Sequence, residues 1–329
     1  MGGGYRISQR IITMSSTALR ISSNLRAHLQ DPSDGTGLAG CDEVQMCFAG
    51  GSSYVVHQGV PLLIDERNSV FAVADILHDK PTTQDTNYRS RNHLKNYLRQ
   101  SWLPALSADK HSTERYAHLA QQVRGGRVLI IGAGDKGGFY RECFTGAEVV
   151  LSDVHLQFGV DLVIDAHAIP FQAGTFALVF AAQVLEHTAQ PWRVAAEMQR
   201  VAQDGGLVHI EVPFVFPFHA APYDFYRFTP TALRFLFAES EMLALEAVEG
   251  AWSGAAVATA QALVNTFSNK HLRRVALATG RLSLWWMKYL DRPGRRHSCS
   301  MPKGVAATYR KDGNRRNERE MLSEASRYF

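Results

Sequence analysis

The stretch RVLIIGAGDKG, residues 127–137, decides the fold of this chain. Its apolar run ends in glycines, which is typical of a buried parallel strand that leads into a tight turn. Similar apolar runs follow at 148–153, 160–165, 176–181, 206–212, 243–249 and 304–310, the last of which we interpret as an edge strand. Helical patterns separate several of these runs, as at 191–203. The alternation predicts an α/β fold with a doubly wound, seven-stranded and mostly parallel sheet.

A glycine pattern follows the first predicted strand. Gly132, Gly134 and Gly137 fit G-x-G-x-x-G, in which the glycines let the backbone approach a ligand closely. Asp153 ends the next strand, and a carboxylate there can accept hydrogen bonds from both hydroxyls of a ribose. The pattern fits NAD and S-adenosylmethionine equally well, and a glycine turn that binds nothing remains a third interpretation.

Motifs further along the chain distinguish between these cofactors. The sequences DAHAIPF (165–171), QVLEH (183–187), EMQRV (197–201) and DGGL (204–207) occur in this order. This succession resembles the class I S-adenosylmethionine-dependent methyltransferases, in the branch called type 11, over about residues 125–240 and 304–311. The resemblance implies a Rossmann-like methyltransferase fold, methyl transfer as the activity and S-adenosylmethionine as the cofactor. It gives no reason to expect a metal.

The resemblance also assigns eight residues to the cofactor. The turn after the first strand would contact the amino-acid and ribose portions of the cofactor. The carboxylate that ends the second strand would accept from the ribose hydroxyls, and the residue after it would pack on the adenine ring. The carboxylate after the third strand would accept from the adenine amino group, with its neighbour's backbone nearby. The residue that ends the fourth strand would lie beside the methionine portion. In this order they are Gly132, Ala133, Gly134, Asp153, Val154, Asp165, Ala166 and Gln183.

Candidate catalytic residues lie in PFVFPFHAAPYDFYRFT, residues 213–229. This segment resembles the His-x-x-Pro-Tyr-Asp-Tyr-x-Arg-Phe-Thr phrase of one methyltransferase subgroup, and it follows a strand end, where ligands bind in such folds. His219 is the candidate general base, because its unperturbed pKa is near neutrality, and a structural loop histidine is the alternative. Asp224 and Arg227 either contact the acceptor or form an ion pair that orders the loop.

These motifs together predict a methyltransferase that acts on a small-molecule or glycan-type acceptor, most simply at oxygen, by in-line transfer. A NAD(P)-dependent oxidoreductase is one alternative, which explains the glycine loop but not QVLEH. A catalytically silent methyltransferase-like partner protein is another. Its motivation is that Ile130 and Lys136 stand where the family has an acid and its third glycine.

The rest of the 329 residues surrounds this core. We expect a disordered leader or transit peptide over 1–40, a degenerate zinc-ribbon-like segment over 41–80 and a helical cap over 81–124. The core would span 125–312, with a helical insertion at about 251–303, and a basic, solvated tail would follow over 313–329. The phrase YVVHQGVPLLI (54–64) resembles the end of small zinc ribbons, but only Cys41 and Cys47 precede it. A structural zinc site needs four ligands, so no metal is expected there either.

Charge and composition limit the partners. The net charge of +4 combines +7 in residues 292–319, with nine basic and two acidic residues, and −3 elsewhere. This balance predicts no nucleic-acid partner, and an RNA-methylating function would depend on the basic tail alone. No apolar run reaches the roughly 18–20 residues of a membrane-spanning helix, and four scattered cysteines indicate a reducing, cytoplasmic setting. Trp285 and Trp286, beside Arg and Lys, predict either core or lid residues or a peripheral membrane contact.

Overall fold

The computed structural model describes residues 18–78, 103–156, 159–291 and 300–328. Its centre is one sheet in the strand order β1-β2-β3-β4-β7-β6-β5-β8-β9-β11-β10. The strands are β1 Leu38–Cys41, β2 Gln45–Phe48, β3 Ser53–His57, β4 Val60–Leu63, β5 Arg127–Ile131, β6 Glu148–Asp153, β7 Leu162–Ile164, β8 Phe176–Ala182, β9 Ala202–Pro213, β10 Ser240–Glu249 and β11 Gly304–Lys311.

Helices and 3₁₀ turns connect these strands. The helices are α1 Ser23–Arg26, α2 Val73–Leu77, α3 Ser112–Gln122, α4 Gly137–Cys143, α5 Pro191–Val201, α6 Pro230–Leu236, α7 Ala251–Asn265, α8 Lys270–Leu284 and α9 Glu318–Ser326. The 3₁₀ turns are Gly134–Lys136, Leu185–His187 and Trp285–Tyr289.

The sheet is mixed and has eleven strands, which differs from the predicted seven mostly parallel ones. The seven predicted runs correspond to β5–β11, and the other four strands come from residues 38–63. β4 pairs in parallel with β7, Leu62 opposite Val163, so the N-terminal segment extends the parallel part of the sheet. The reason is burial on both faces: all four residues of β4 are buried, as in an interior parallel strand.

β11 is an interior strand, which corrects the prediction of an edge strand at 304–310. It lies between β9 and β10 and is antiparallel to both. Its first six residues are buried, which fits a strand with neighbours on both sides. The edge of the sheet is therefore β10, and it carries the more exposed residues.

Helices cover both faces of the sheet. Alternate residues of β5 point to opposite sides, as in any strand: Ile130 packs in one apolar cluster and Ile131 in the other. The Ile130 cluster includes side chains of α2, α3 and α4, and the Ile131 cluster includes side chains of α1, α5 and α6. The doubly wound arrangement that the sequence predicts is therefore present.

Residues 18–40 are part of the folded unit, so the prediction of a disordered leader is wrong for them. Leu25 and Leu29 are fully buried in the Ile131 cluster. Arg20 donates through Nη1 to the carbonyl oxygen of Val160 at 2.9 Å, and Ser22 Oγ donates to Glu148 Oε1 at 2.6 Å. Residues 1–17 of the predicted leader lie outside the described residues.

The segment predicted to be zinc-ribbon-like is an antiparallel meander of β1–β4. Cys41 and Cys47 lie on the neighbouring strands β1 and β2, and both are free thiols. Arg26 Nη1 lies 3.3 Å from Cys41 Sγ. Within the described parts of the chain, no cluster of three or more potential metal ligands includes either cysteine. The segment thus serves as an extension of the sheet.

The predicted tail is also folded. After Gly313 the chain enters α9, which begins with a capping box between Asn317 and Glu320. Met321 and Ala325 are buried, and Glu324 Oε2 accepts from Nε of the fully buried Arg234 in α6 at 2.7 Å. Segment 313–328 is therefore a docked helix, which corrects the expectation of a solvated end.

The insertion between β10 and β11 is a helical hairpin of α7 and α8, followed by the 3₁₀ turn at 285–289. Small residues form the contact, since a side chain at Gly280 would meet Ala260 Cβ at 3.1 Å. Of the predicted cap, 81–102 lies outside the described residues, and α3 packs on the sheet through Tyr116 and Leu119. Among the described helices, none is both long and apolar enough to cross a bilayer.

Candidate functional site

A cavity of about 450 Å³ lies at the carboxyl ends of β5, β6, β7 and β8. Its volume falls in the range of about 300–1,000 Å³ that is usual for small-molecule sites. The eight residues that the sequence assigns to a cofactor all line it, and so does His219. The structure therefore brings together residues that span about ninety positions of the chain, while their individual roles stay predictions.

The glycine turn forms the floor of this cavity. Gly132 has φ +66° and Gly134 has φ +52°, the left-handed region that side chains disfavour. A Cβ at Gly132 would also lie 2.5 Å from Cγ2 of Val184, so only glycine fits at this position beside the valine side chain. The backbone N–H of Gly134 donates to Asp153 Oδ2 at 3.0 Å, which fixes the turn against the end of β6.

Asp153 presents a nearly buried carboxylate to the cavity. Burial raises its pKa, although the backbone N–H groups of Gly134 and His155 donate to its two oxygens at 3.0 Å each and act in the opposite direction. Each carboxylate oxygen has a second lone pair, so the group can still accept from two neighbouring hydroxyls.

Asp165 is held by partners from two parts of the chain. His167 Nδ1 lies 2.6 Å from Oδ1, and Ser69 Oγ donates to Oδ2 at 2.5 Å. Burial alone would raise the pKa of Asp165, but these hydrogen bonds outweigh it and hold the pKa below its ordinary value. The carboxylate is therefore ionised and fixed in orientation.

Ser69 belongs to a part of the site that sequence reasoning missed. The segment after β4 contributes Asn68, Val70 and Phe71 to the cavity wall. Because β4 lies beside β7, the loop that follows β4 reaches the same edge of the sheet as the other cavity loops. The available signal was the short apolar run VPLLI, bounded by Gly59 and Asp65, which is consistent with one more buried strand.

Two departures from the family pattern have a structural account. Ile130 is fully buried in the sheet, where an acid would need a partner. Lys136, which stands in the place of the third glycine, is exposed at the end of the 3₁₀ turn and lines the cavity. The glycine-loop end of the site therefore has an apolar residue in place of the usual acid and an added cation beside Asp135.

The loop after β9 carries the predicted catalytic residues. His219 lines the cavity, and its backbone N–H donates to Asp224 Oδ2 at 2.8 Å. Asp224 is fully buried, and Arg227 donates to its two oxygens at 2.6 and 2.7 Å. Arg227 also donates to the carbonyl oxygens of Phe216 and Pro217 at 3.1 and 2.8 Å.

This geometry gives the three residues different positions relative to the cavity. Asp224 and Arg227 are not among its lining residues, and their contacts hold the loop on which His219 stands. Burial lowers the pKa of His219, partly opposed by the charge of Asp224, so its imidazole is neutral at pH 7. A neutral imidazole is the form that can accept a proton.

The turn at Leu185–His187 adds two groups that the sequence did not assign to the site. Glu186 is fully buried, neither of its carboxylate oxygens has a hydrogen-bond partner among the described residues, and burial raises its pKa to about 8. His187 lines the cavity, and its Nδ1 lies 2.6 Å from the carbonyl oxygen of Tyr223. The ring centroids of His187 and His219 are 4.8 Å apart. The only sequence signal was an acid and a histidine directly after a strand end.

Comparison with known proteins identifies the domain that builds this cavity. The family model described as "Methyltransferase domain" matches residues 132–210. A protein of Mycolicibacterium gilvum (strain PYR-GCK), described as an uncharacterized methyltransferase, is 32% identical over 94 residues. That alignment covers 24% of this chain and 36% of the relative, so the chain matches little more than a third of the relative's length.

Solved structures give more distant similarities. Haemonchus contortus phosphoethanolamine N-methyltransferase 2, in complex with S-adenosyl-L-methionine, aligns with a TM-score of 0.40 and 13% identity over 69% of this chain and 59% of that chain. Coclaurine N-methyltransferase aligns with a TM-score of 0.40 and 10% identity over 64% of this chain and 77% of that chain.

The family match agrees with one of the two cofactors that the glycine loop left open, S-adenosylmethionine. It begins at Gly132, the first glycine of the turn, and ends at Ile210 in β9, so it includes every residue assigned to the cofactor. The cavity residues also fit S-adenosylmethionine. The turn at Gly132 has room only for glycine, and the carboxylate of Asp153 can accept from two hydroxyl groups. Residues 132–210 therefore match a methyltransferase domain, the class of domain whose cofactor is S-adenosylmethionine.

Proposed function

We propose that this chain transfers the methyl group of S-adenosylmethionine to an oxygen atom of a small-molecule or glycan-type acceptor. The observation that supports the proposal is a single cavity lined by the eight expected cofactor residues and by a neutral histidine. When bound, the cofactor supplies a methyl group on a cationic sulfur, which is already strongly activated. The main task of the protein is then to align the acceptor with that methyl group.

On the cofactor side, three charged groups are placed for recognition. Asp153 accepts hydrogen bonds from the ribose hydroxyls, and Asp165, fixed by Ser69 and His167, accepts from the adenine amino group. Lys136 offers its ammonium to the carboxylate of the amino-acid portion at the glycine-loop end. Carboxylates paired with hydroxyl and amino donors, and an ammonium paired with a carboxylate, are favourable combinations.

On the acceptor side, the cavity wall is aromatic. Phe216, Tyr223 and Phe225 line it next to His219. Flat apolar faces suit the ring of a sugar or of a phenol, which presents hydroxyl groups at its edge. His219 takes the proton of the attacking hydroxyl, while Asp224 and Arg227 hold the loop in place.

Replacing Asp153 with Asn should weaken cofactor binding roughly 10–100-fold, because the replacement removes the charge that receives two hydroxyl donors. Titration calorimetry with S-adenosylmethionine measures this, and transfer of a labelled methyl group to a panel of sugars and phenols measures turnover. Asp75 on α2 is a matched control for Asp→Asn, since it is outside the cavity lining. Unchanged affinity in the Asp153 variant would contradict the assignment of the ribose site. Cofactor binding without transfer to any acceptor would instead support a catalytically silent partner protein.

The helical hairpin favours a peripheral contact with an anionic membrane surface. Residues 251–290 contain no acidic residue, and five basic ones: Lys270, Arg273, Arg274, Arg281 and Lys288. The same hairpin and its 3₁₀ turn carry exposed apolar side chains, among them Leu272, Val275, Leu282, Trp285, Trp286 and Tyr289. Trp285 and Trp286 are 38% and 48% exposed, so they are not core residues. Exposed aromatic and aliphatic groups interleaved with cations suit the interface of an anionic bilayer.

Co-sedimentation with lipid vesicles tests this contact. We expect binding to vesicles of phosphatidylcholine mixed with phosphatidylglycerol, and much weaker binding to phosphatidylcholine alone or at high salt. Changing both Trp285 and Trp286 to Ser should release the protein, whereas Trp192→Ser should not, although Trp192 is 57% exposed on α5. Equal binding by both variants would show that the hairpin is not the contact.

A further inference from the structure

Three potential metal ligands meet at the wall of the cofactor cavity. Glu186, His187 and His219 each offer one ligand atom, and these atoms all lie within 4.8 Å of one another. Glu186 Oε1 and His187 Nε2 are 3.7 Å apart. Donor atoms held about 2.1 Å from a tetrahedral ion lie roughly 3.4 Å from each other, so small side-chain movements would close the set around a cation.

The carboxylate of Glu186 lacks the partners that a buried acid normally has. Its side chain is 0% exposed, and neither oxygen has a hydrogen-bond partner. Arg227 is the nearby cation, but its guanidinium is committed to Asp224 and to carbonyl oxygens of the loop. Buried carboxylates are usually hydrogen-bonded, paired with a cation or bound to a metal. Within the part of the chain that the structure describes, the carboxylate of Glu186 has no hydrogen bond, so it is free to bind an ion.

The two histidines are oriented as metal-binding imidazoles usually are. His187 Nδ1 lies 2.6 Å from the carbonyl oxygen of Tyr223, which can only accept, so Nδ1 carries the proton. His219 Nδ1 lies 3.2 Å from two acceptors, the carbonyl oxygen of Pro217 and Asp224 Oδ2. One donor, Nη2 of Arg227, lies 3.3 Å from the same nitrogen. The two acceptors place the proton on Nδ1 here as well. In both rings Nε2 is left with a lone pair, while Nδ1 is anchored to the protein.

We propose that Glu186, His187 and His219 bind a divalent first-row transition-metal ion. Two imidazoles and one carboxylate form a ligand set that suits zinc, iron, cobalt or manganese. Both histidines line the cavity, so the remaining coordination positions of the ion would face the space where the acceptor is expected. No metal-ligand spacing is visible in the sequence, because His219 lies 33 residues after Glu186 and the β9 loop brings them together.

The role that the ion would have in the reaction rests on the proposed methyltransferase function. A cation beside the acceptor lowers the pKa of a coordinated hydroxyl, and the proton leaves to solvent. The oxygen then forms its bond to the methyl carbon as the carbon–sulfur bond breaks, and the electron pair of that bond stays on sulfur to give S-adenosylhomocysteine. With the ion present, His219 acts as a ligand through Nε2, and no free imidazole base is required. Acceptors with adjacent hydroxyls would fit such an ion best.

Cobalt is the probe for the site, because its visible absorption reports coordination directly. The full-length protein without an affinity tag, freed of metal by dialysis against a chelator, is titrated with Co²⁺ and then with Zn²⁺ as a competitor. We expect one equivalent per chain. Glu186→Gln keeps the shape of the side chain and removes its charge. This variant and His219→Ala should each weaken Co²⁺ binding by more than roughly 100-fold, because changes to residues that only support the ligands already cost about 10–100-fold.

The control is His118→Ala, an exposed histidine on α3 that should leave the titration unchanged. Unfolding curves that match the wild type show that the variants fold. Absence of a cobalt spectrum, or a spectrum unchanged by Glu186→Gln, would overturn the metal site. Asp153→Asn separates the two proposals, because it weakens cofactor binding and should leave the cobalt spectrum intact. Methyl transfer that continues at full rate in chelator would overturn the role of the ion in the reaction.

Discussion

Replacing Arg115 with Met should lower the free energy of unfolding by about 3–5 kcal/mol, the usual cost of removing one partner of a buried ion pair. Arg115 donates to Glu211 Oε1 through Nε at 2.9 Å and Nη2 at 2.7 Å, and it links α3 to the carboxyl-terminal part of β9. Tyr116 Oη and His209 Nε2 contact the same oxygen at 3.0 and 3.2 Å. Without the guanidinium, a carboxylate that is 5% exposed would have to be protonated or remain charged without a cation.

Urea unfolding followed by circular dichroism measures this loss. Arg127→Met provides the matched control, because Arg127 and Glu148 form a partly exposed pair with a separation of 3.3 Å. Exposed pairs contribute about 0–1 kcal/mol, so the control should unfold almost as the wild type does. Equal effects of the two substitutions would show that the buried network does not stabilise the attachment of α3 to the sheet.

Replacing Gly132 with Ala should destabilise the domain by about 2–5 kcal/mol and abolish tight cofactor binding. Two costs combine. The left-handed backbone disfavours any side chain by about 1–2 kcal/mol, and inserting a methyl group into a packed site costs typically about 1–3 kcal/mol. The new Cβ would lie 2.5 Å from Cγ2 of Val184, so either the turn or the start of the next loop must shift. Both line the cavity, and its floor would change shape.

Gly134→Ala separates the two costs. Gly134 has the same left-handed backbone, but nothing lies within 4 Å of a Cβ built there, so only the backbone cost of about 1–2 kcal/mol applies. Val184→Ala in the Gly132 variant should then recover part of the loss, because it removes the clashing methyl group. Chemical unfolding without cofactor gives all these values. If Gly132→Ala and Gly134→Ala are equally destabilising, the contact with Val184 is not the reason for glycine at 132.

The sheet strands from β5 to β11 were predictable because each is a local apolar run bounded by turn residues. Their pairing partners were less accessible. Nothing in 304–310 shows that β11 fits between β9 and β10, since that depends on strands about a hundred and about sixty residues before it. The addition of β4 beside β7 is of the same kind, with Leu62 paired to a residue about a hundred positions later. The hydrophobic periodicity of a segment predicts whether it forms a strand, but it does not predict which strand lies beside it in the sheet.

The convergence of the predicted cofactor residues on one cavity was predictable for a related reason. These residues stand directly after strands, so the topology alone places Asp153, Asp165 and Gln183 at one edge of the sheet. The other contacts depend on tertiary packing. Ser69 reaches Asp165 from a segment that looked separate from the core, and Glu186 meets His219 only because the loop after β9 folds back over the 185–187 turn. The prediction of a basic tail also overlooked α9, although Asn317 and Glu320 form a capping-box pattern that is visible in the sequence.

The position of β4 has a consequence for where this domain can be divided. A fragment that starts at β5 would keep the matched segment 132–210, yet it would leave β7 with an unpaired edge of backbone N–H and C=O groups. Such open edges recruit other chains. The fragment would also lose the hydroxyl of Ser69, which orients the carboxylate of Asp165. The smallest autonomous piece of this protein is therefore set by hydrogen bonding across the sheet, and any transplanted or shortened version must include residues 60–69.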